Sequence, residues 1–232
     1  MTVARTFRAL EFYDILANLV PGAVLLLTLS AIFQIEKYIR FSTGTIAAGV
    51  FLVTALVFGH IIQAIASELD GKNTLFGEVI QATREDTEKE PTIEVNHVVE
   101  SVWPLMKRKF ALPDDFNDYG ELFRLVLSYI ETTPATRALR FQALHSFHRS
   151  MWAVGYITSI LTLVGALLKC IGWIGVRPWP ILGLILLGSI GGTLVFGKRK
   201  KKMNQLFIQY TLVDFYSDQI ERVGNTTGEK GS

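Results

Sequence analysis

Apolar residues along this chain gather into four long blocks divided by polar stretches, and the blocks have the length a bilayer demands. A spanning helix takes about 20 mostly apolar residues, because in lipid the backbone must satisfy its own polar groups. Residues 15–35, 45–66, 151–173 and 179–196 qualify. The segments 36–43 and 175–180 are too short to hold a folded unit, which pairs the blocks into two transmembrane hairpins. Tyr38, Phe41, Trp173 and Trp179 fall at those turns, where amphipathic rings settle in the headgroup layer.

The segment between the hairpins carries a helical period instead. Val95, Val98, Val99, Val102 and Met106 recur at helical spacing, in a helix that Pro91 can open and Pro104 should kink. Leu112, Pro113, Asp114 and Asp115 read as a turn, followed by a second stripe of Leu122, Phe123, Val126, Leu127 and Ile130. Residues 71–90 are undecided, and their charge-rich end, 84–90, reads as an exposed loop. Thr133 and Pro134 suit an N-cap and first-turn proline. The helix they start is expected to run from Ala135 past Phe141, Leu144 and Phe147 into the third span, coupling the inner domain to the membrane.

After the last span, Met203, Leu206, Phe207, Tyr210, Val213, Tyr216 and Ile220 describe an amphipathic helix, expected to pack on the inner domain or a neighbouring subunit. The expected fold is therefore an all-α integral membrane protein with four transmembrane helices in two hairpins, a small helical cytoplasmic domain and an amphipathic C-terminal helix. Its parts are an interfacial helix or elbow at 1–14, hairpins at 15–67 and 150–197, the cytoplasmic domain at 68–149, the basic run and last helix at 198–223, and a disordered tail at 224–232. Glu11 and Asp14 interrupt the N-terminal segment, so the first block is expected to remain as a span and not be cleaved as a signal peptide.

Composition agrees: 50% of the 232 residues are hydrophobic and 19% charged, too apolar for an ordinary soluble domain. The net charge of +2 says little about partners, whereas the placement of the basic residues does. Arg5, Arg8, Lys72, Arg137, Arg140, Arg149 and residues 198–202 flank the side of the termini, against Lys37, Arg40 and Arg177 opposite. Basic residues resist translocation, so both termini are expected inside, on the cytoplasmic side. The single cysteine, Cys170, excludes an internal disulfide and a cysteine zinc cluster.

Polar residues inside a bilayer are costly and mark partners or pathways. Asn18 near the start of the first span is expected level with His60, Gln63 and Ser67 near the end of the second, and the last three share a helical face. The stripe either stitches the hairpin together through Asn18 or lines a hydrated path as a pore or gate. On the inner side, Lys107, Arg108, Lys109, Arg137 and Arg140 are candidates for holding a phosphate-bearing ligand, a nucleotide or short single-stranded DNA, with Phe141 or His145 for stacking. Residues 198–202 are explained by anionic lipid at the inner surface. Gly188 and Gly192 form a small-xxx-small pair. No catalytic motif is present, and no metal site or cofactor is expected.

The layout Tyr13-Asp14, Pro21-Gly22, Gly59-His60, Ser67, a helical inner segment, then Arg140-Phe141 and Phe147-His148-Arg149 before a second hairpin resembles four-span membrane effectors of bacterial anti-phage defence systems, of the Hailong and Kiwa kinds. The resemblance implies a homo-oligomer, a tetramer by preference, that disturbs ion gradients when a cytoplasmic signal changes. In the Hailong kind the signal is short DNA from a companion nucleotidyltransferase holding the channel shut. In the Kiwa kind it is a soluble DNA-binding partner. The competing expectation is a non-conducting anchor or scaffold that recruits a soluble partner.

Overall fold

A computed structural model describes residues 3–34, 44–70, 75–84, 96–133, 137–173 and 175–228. It is all-helical over these residues: α1 Val3–Phe33, α2 Thr45–Asp70, α3 Leu75–Arg84, α4 Asn96–Phe110, α5 Tyr119–Glu131, α6 Arg137–Cys170 and α7 Trp179–Gly228. Three of them, α2, α6 and α7, are long and apolar enough to cross a membrane, whereas the apolar stretch of α1, Ala17–Phe33, is shorter. The outer turn 36–43, Pro91, the loop 85–90 and Pro134 lie outside the described residues.

The helices sort into two compact units. One joins the start of α1, up to Arg8, with α3, α4 and α5, the first turns of α6, up to Gln142, and α7 from Met203 onward. Each helix brings its apolar stripe to a shared core: Phe76, Val79 and Ile80 from α3, Val102 and Met106 from α4, Leu122, Val126 and Ile130 from α5, and Ile208, Leu212 and Phe215 from α7. Aromatic contacts knit it, with Phe215 stacked on Phe110 at 5.9 Å and Phe76 tilted on Phe123 at 4.8 Å between centroids.

The ends of its helices have local causes. Ala111 takes φ +50, and Leu112 N–H reaches back to the Lys107 carbonyl at 3.0 Å, a left-handed closure that stops α4. Asp118 caps α5, its Oδ1 accepting from Glu121 N–H at 2.9 Å. The Thr133 hydroxyl donates to Ile130 O at 2.9 Å, so it closes α5.

The second unit holds residues 9–71 and 143–202. Here backbone meets backbone: a Cβ on Gly22 would collide with Ala55 O, and one on Gly59 with Asn18 O. The pairing of 22 with 55 and 18 with 59 makes α1 and α2 antiparallel, seated through Ala55, Gly59, Ile62 and Ala66. α6 and α7 run antiparallel too, Gly155 lying against Ser189 O and Thr193, with Ser159 Oγ and Ser189 Oγ sharing a hydrogen bond of 2.8 Å.

Two junctions differ from the sequence expectation. α1 has no break between Val3 and Phe33, where an interfacial helix or elbow was expected at 1–14. α7 continues through the basic run as one helix of 50 residues to Gly228, so the last apolar stretch and the C-terminal amphipathic helix are one element that reaches into 224–232. The run 198–202 carries the helix on past Gly197, since Lys and Arg are good helix formers.

Candidate functional site

The predicted polar stripe divides. Asn18 is buried at the α1–α2 seam, its backbone against Gly59. His60 and Ser67 are exposed and Gln63 is half-buried. At 100° per residue, His60 and Ser67 point some 120° away from the seam formed by Ala55, Gly59, Ile62 and Ala66. The Ser67 hydroxyl donates to Ala64 O at 2.9 Å within its own helix. The stripe is thus one face of α2 as expected, but the close glycine contact, not the polar residues, decides which side meets α1.

The five basic candidates lie in the helical bundle with different degrees of freedom. Lys107 is ion-paired with Asp114, and Lys109 stands 4.7 Å from the centroid of Tyr129. Tyr129 donates in turn to Asp218 and accepts from Gln219 Nε2 at 2.8 Å. Arg137 bonds Asp214 at 3.4 Å and covers the Tyr210 ring at 6.0 Å. Asp214 is buried and also accepts from Ala138 N–H at 3.0 Å, so one carboxylate both pairs with Arg137 and caps the first turn of α6. Arg108 and Arg140 are exposed. Phe141 lies flat on Tyr210, centroids 4.6 Å apart and planes 1° apart, which occupies one face of the ring proposed for stacking.

A charged cluster that the sequence did not single out stands in the other unit, at the polar ends of α2, α6 and α7 and outside the apolar stretches. Lys200 Nζ pairs with Asp70 and sits 4.1 Å over the Trp152 ring. The Lys200 carbonyl accepts from His145 Nδ1 at 3.3 Å, in the tautomer this requires. Burial lowers the His145 pKa from 6.5 to about 4, helped by Arg149 and opposed by the hydrogen bond to Lys200 and by Asp70. Burial likewise lowers the Arg149 guanidinium, with Asp70 countering. Lys200 therefore leaves the lipid-facing role assigned to its run, while Lys198, Arg199, Lys201 and Lys202 remain exposed. The only sequence signal was Asp70 at the polar end of an apolar block, because its partner is 130 residues away.

No protein-family model matches the chain, and no curated protein or solved structure matches it.

Proposed function

We propose that the chain is an oligomeric membrane effector or ion channel of a bacterial anti-phage defence system, set in the inner membrane and gated from the cytoplasm by a short nucleic acid, a nucleotide or a partner protein. The observation that carries this reading is helix continuity. α6 and α7 each supply residues to the soluble-type core, Ala138 on one and Ile208, Leu212 and Phe215 on the other, and each proceeds unbroken into a long apolar stretch. A ligand that shifts the bundle acts on helices that themselves continue into two apolar stretches, which is the connection a gate needs.

Four spans in two hairpins fit the helix lengths. The apolar stretch of α1, Ala17–Phe33, is about 25 Å long at 1.5 Å per residue, at the short end of what a hydrocarbon core of roughly 30 Å takes. The distribution of basic residues supports both termini inside. A conducting path forms between several copies, a tetramer by preference, because the residues of one copy pack against each other along α1–α2 and α6–α7. His60 and Ser67 then stand at the copy-to-copy seam where such a path runs.

The test is conductance of the purified protein in liposomes, with and without short single-stranded DNA. Ion flux that changes with DNA and is altered several-fold by His60→Leu is expected. A membrane silent under all conditions overturns the channel.

One observation favours the scaffold as second reading. Lys107, Lys109 and Arg137 already have acidic or aromatic partners within the bundle, which suits a protein partner better than a phosphate chain. Partner capture that survives in a non-conducting protein would establish it.

A further inference from the structure

Within the membrane unit, α1, α6 and α7 enclose a groove of about 440 Å³, walled by Leu27 and Thr28, by Val154 and Thr158, and by Gly188 and Gly192. Apart from the adjoining turns of α7 itself, no atom of the described residues lies within 4 Å of where a Cβ on Gly188 or Gly192 would stand, so the backbone of another helix can approach that wall closely.

One wall residue breaks the pattern of its neighbours. The hydroxyls of Thr28, Ser159, Thr162 and Thr193 all bond to the carbonyl four residues earlier, at 2.6 to 2.9 Å. Thr158 is 4% exposed and its Oγ1 has no hydrogen-bond partner among the described residues. A helical threonine has two accessible χ1 wells, and turning between them exchanges the methyl and hydroxyl positions. A buried hydroxyl without a partner is a defect in one copy that a second molecule can repair.

The complementary group is on the same chain. Around the exposed His60, α2 presents Val53, Val57, Ile61 and Ile65, all exposed. An imidazole facing lipid is unfavourable and seeks a hydrogen-bonding partner. The depths agree, since Phe58 and Ile62 of α2 share one apolar cluster with Val154, Ile157 and Leu161 of α6. His60 and Thr158 lie between these residues, at one level.

We infer that the exposed face of α2 in one copy fills the α1–α6–α7 groove of the next, with the His60 imidazole hydrogen-bonded to the Thr158 hydroxyl. This rests on the membrane-embedded, oligomeric reading above. The contact joins two different surfaces, so it repeats head to tail, and a ring results where the rotation from copy to copy closes. A lipid acyl chain fits the groove by polarity but has no group to pair with the hydroxyl at that depth.

The experiment co-expresses two differently tagged copies lacking Cys170 (Cys170→Ser), one with His60→Cys and the other with Thr158→Cys, and oxidises the membranes mildly. A disulfide-linked heterodimer is expected only when both copies are present. Bonds formed by either variant alone, or no heterodimer while the native mass in nanodiscs is that of an oligomer, overturn the docking and leave the oligomeric reading standing. A monomeric mass overturns both. Thr158→Val, which keeps the volume and removes the hydroxyl, should weaken self-association roughly threefold to tenfold. Unchanged association with one lipid retained per chain overturns the inference in favour of a lipid occupant.

Discussion

The bundle and the membrane unit solve packing in opposite ways. In the bundle the fully buried residues are large, Phe76, Phe215, Met106, Leu122 and Ile130 among them. Water drives such a core together, and its stability scales with apolar area hidden. In the membrane unit the seams are made by Gly22, Ala55, Gly59, Ala66, Ala153 and Gly155, while Leu27, Val53, Leu163, Leu167, Leu184 and Leu187 stand exposed. Lipid tails are as apolar as leucine, so burying leucine there gains little and close backbone contact gains more. The membrane unit also buries Leu25, Ile32, Ile62 and Leu182, so what sets it apart is the glycine and alanine where its helices cross.

The sharpest way to break the comparison is to put a large side chain where the membrane unit needs none. Gly59→Leu drives its Cβ into Asn18 backbone, which cannot give as a flexible side chain would, and should cost more than about 4 kcal/mol. Hydrogen exchange in nanodiscs should rise across 17–33 and 45–70 and stay unchanged across 119–131. Exchange that rises in both regions would mean that the two units do not unfold separately.

The converse substitution is Phe215→Ala. Phe215 has no exposed surface and contacts the rings of Phe110 and Tyr129 at 5.9 and 5.6 Å, so truncation should cost about 3–5 kcal/mol. Exchange should then rise across 101–131 and not across 45–70. An effect below about 1 kcal/mol would show that the bundle core repacks freely around α7.

Much of this contrast was legible in the sequence, and the rest was hidden for identifiable reasons. Block length fixed three long apolar helices because backbone satisfaction in lipid leaves one solution. The stripes on α4 and α5 were legible because Val102 and Met106, and Leu122, Val126 and Ile130, repeat at the helical period. That His60, Gln63 and Ser67 share a face was legible as well. Which face meets α1 was not, although Gly59 stood next to His60: a small residue marks a close contact only once its partner, Asn18 with Gly22, is known. The unbroken α7 could have been read from the absence of any breaker, yet a run of five basic residues invites a boundary. Asp70, His145 and Lys200 were illegible together, since only the fold brings positions so far apart in sequence into one cluster.

That cluster supplies the smallest of these effects, and it marks where the comparison blurs, because a charged site is buried at the edge of the unit whose helices cross through glycine and alanine. His145 is 8% exposed, and burial holds its pKa at about 4 against 6.5. Between those values the unfolded chain binds a proton that the folded chain refuses. Stability is therefore complete above about pH 6.5, falls as pH drops toward 4, and loses no more through this group below that. The loss should be about 1–3 kcal/mol. The difference between wild type and His145→Asn isolates the imidazole: wild type should lose more of its thermal midpoint in detergent between pH 6.5 and 4 than the variant does. Parallel pH profiles would mean that His145 takes up its proton in the folded state as easily as in the unfolded chain, so the ring would be hydrated and the cluster open to water.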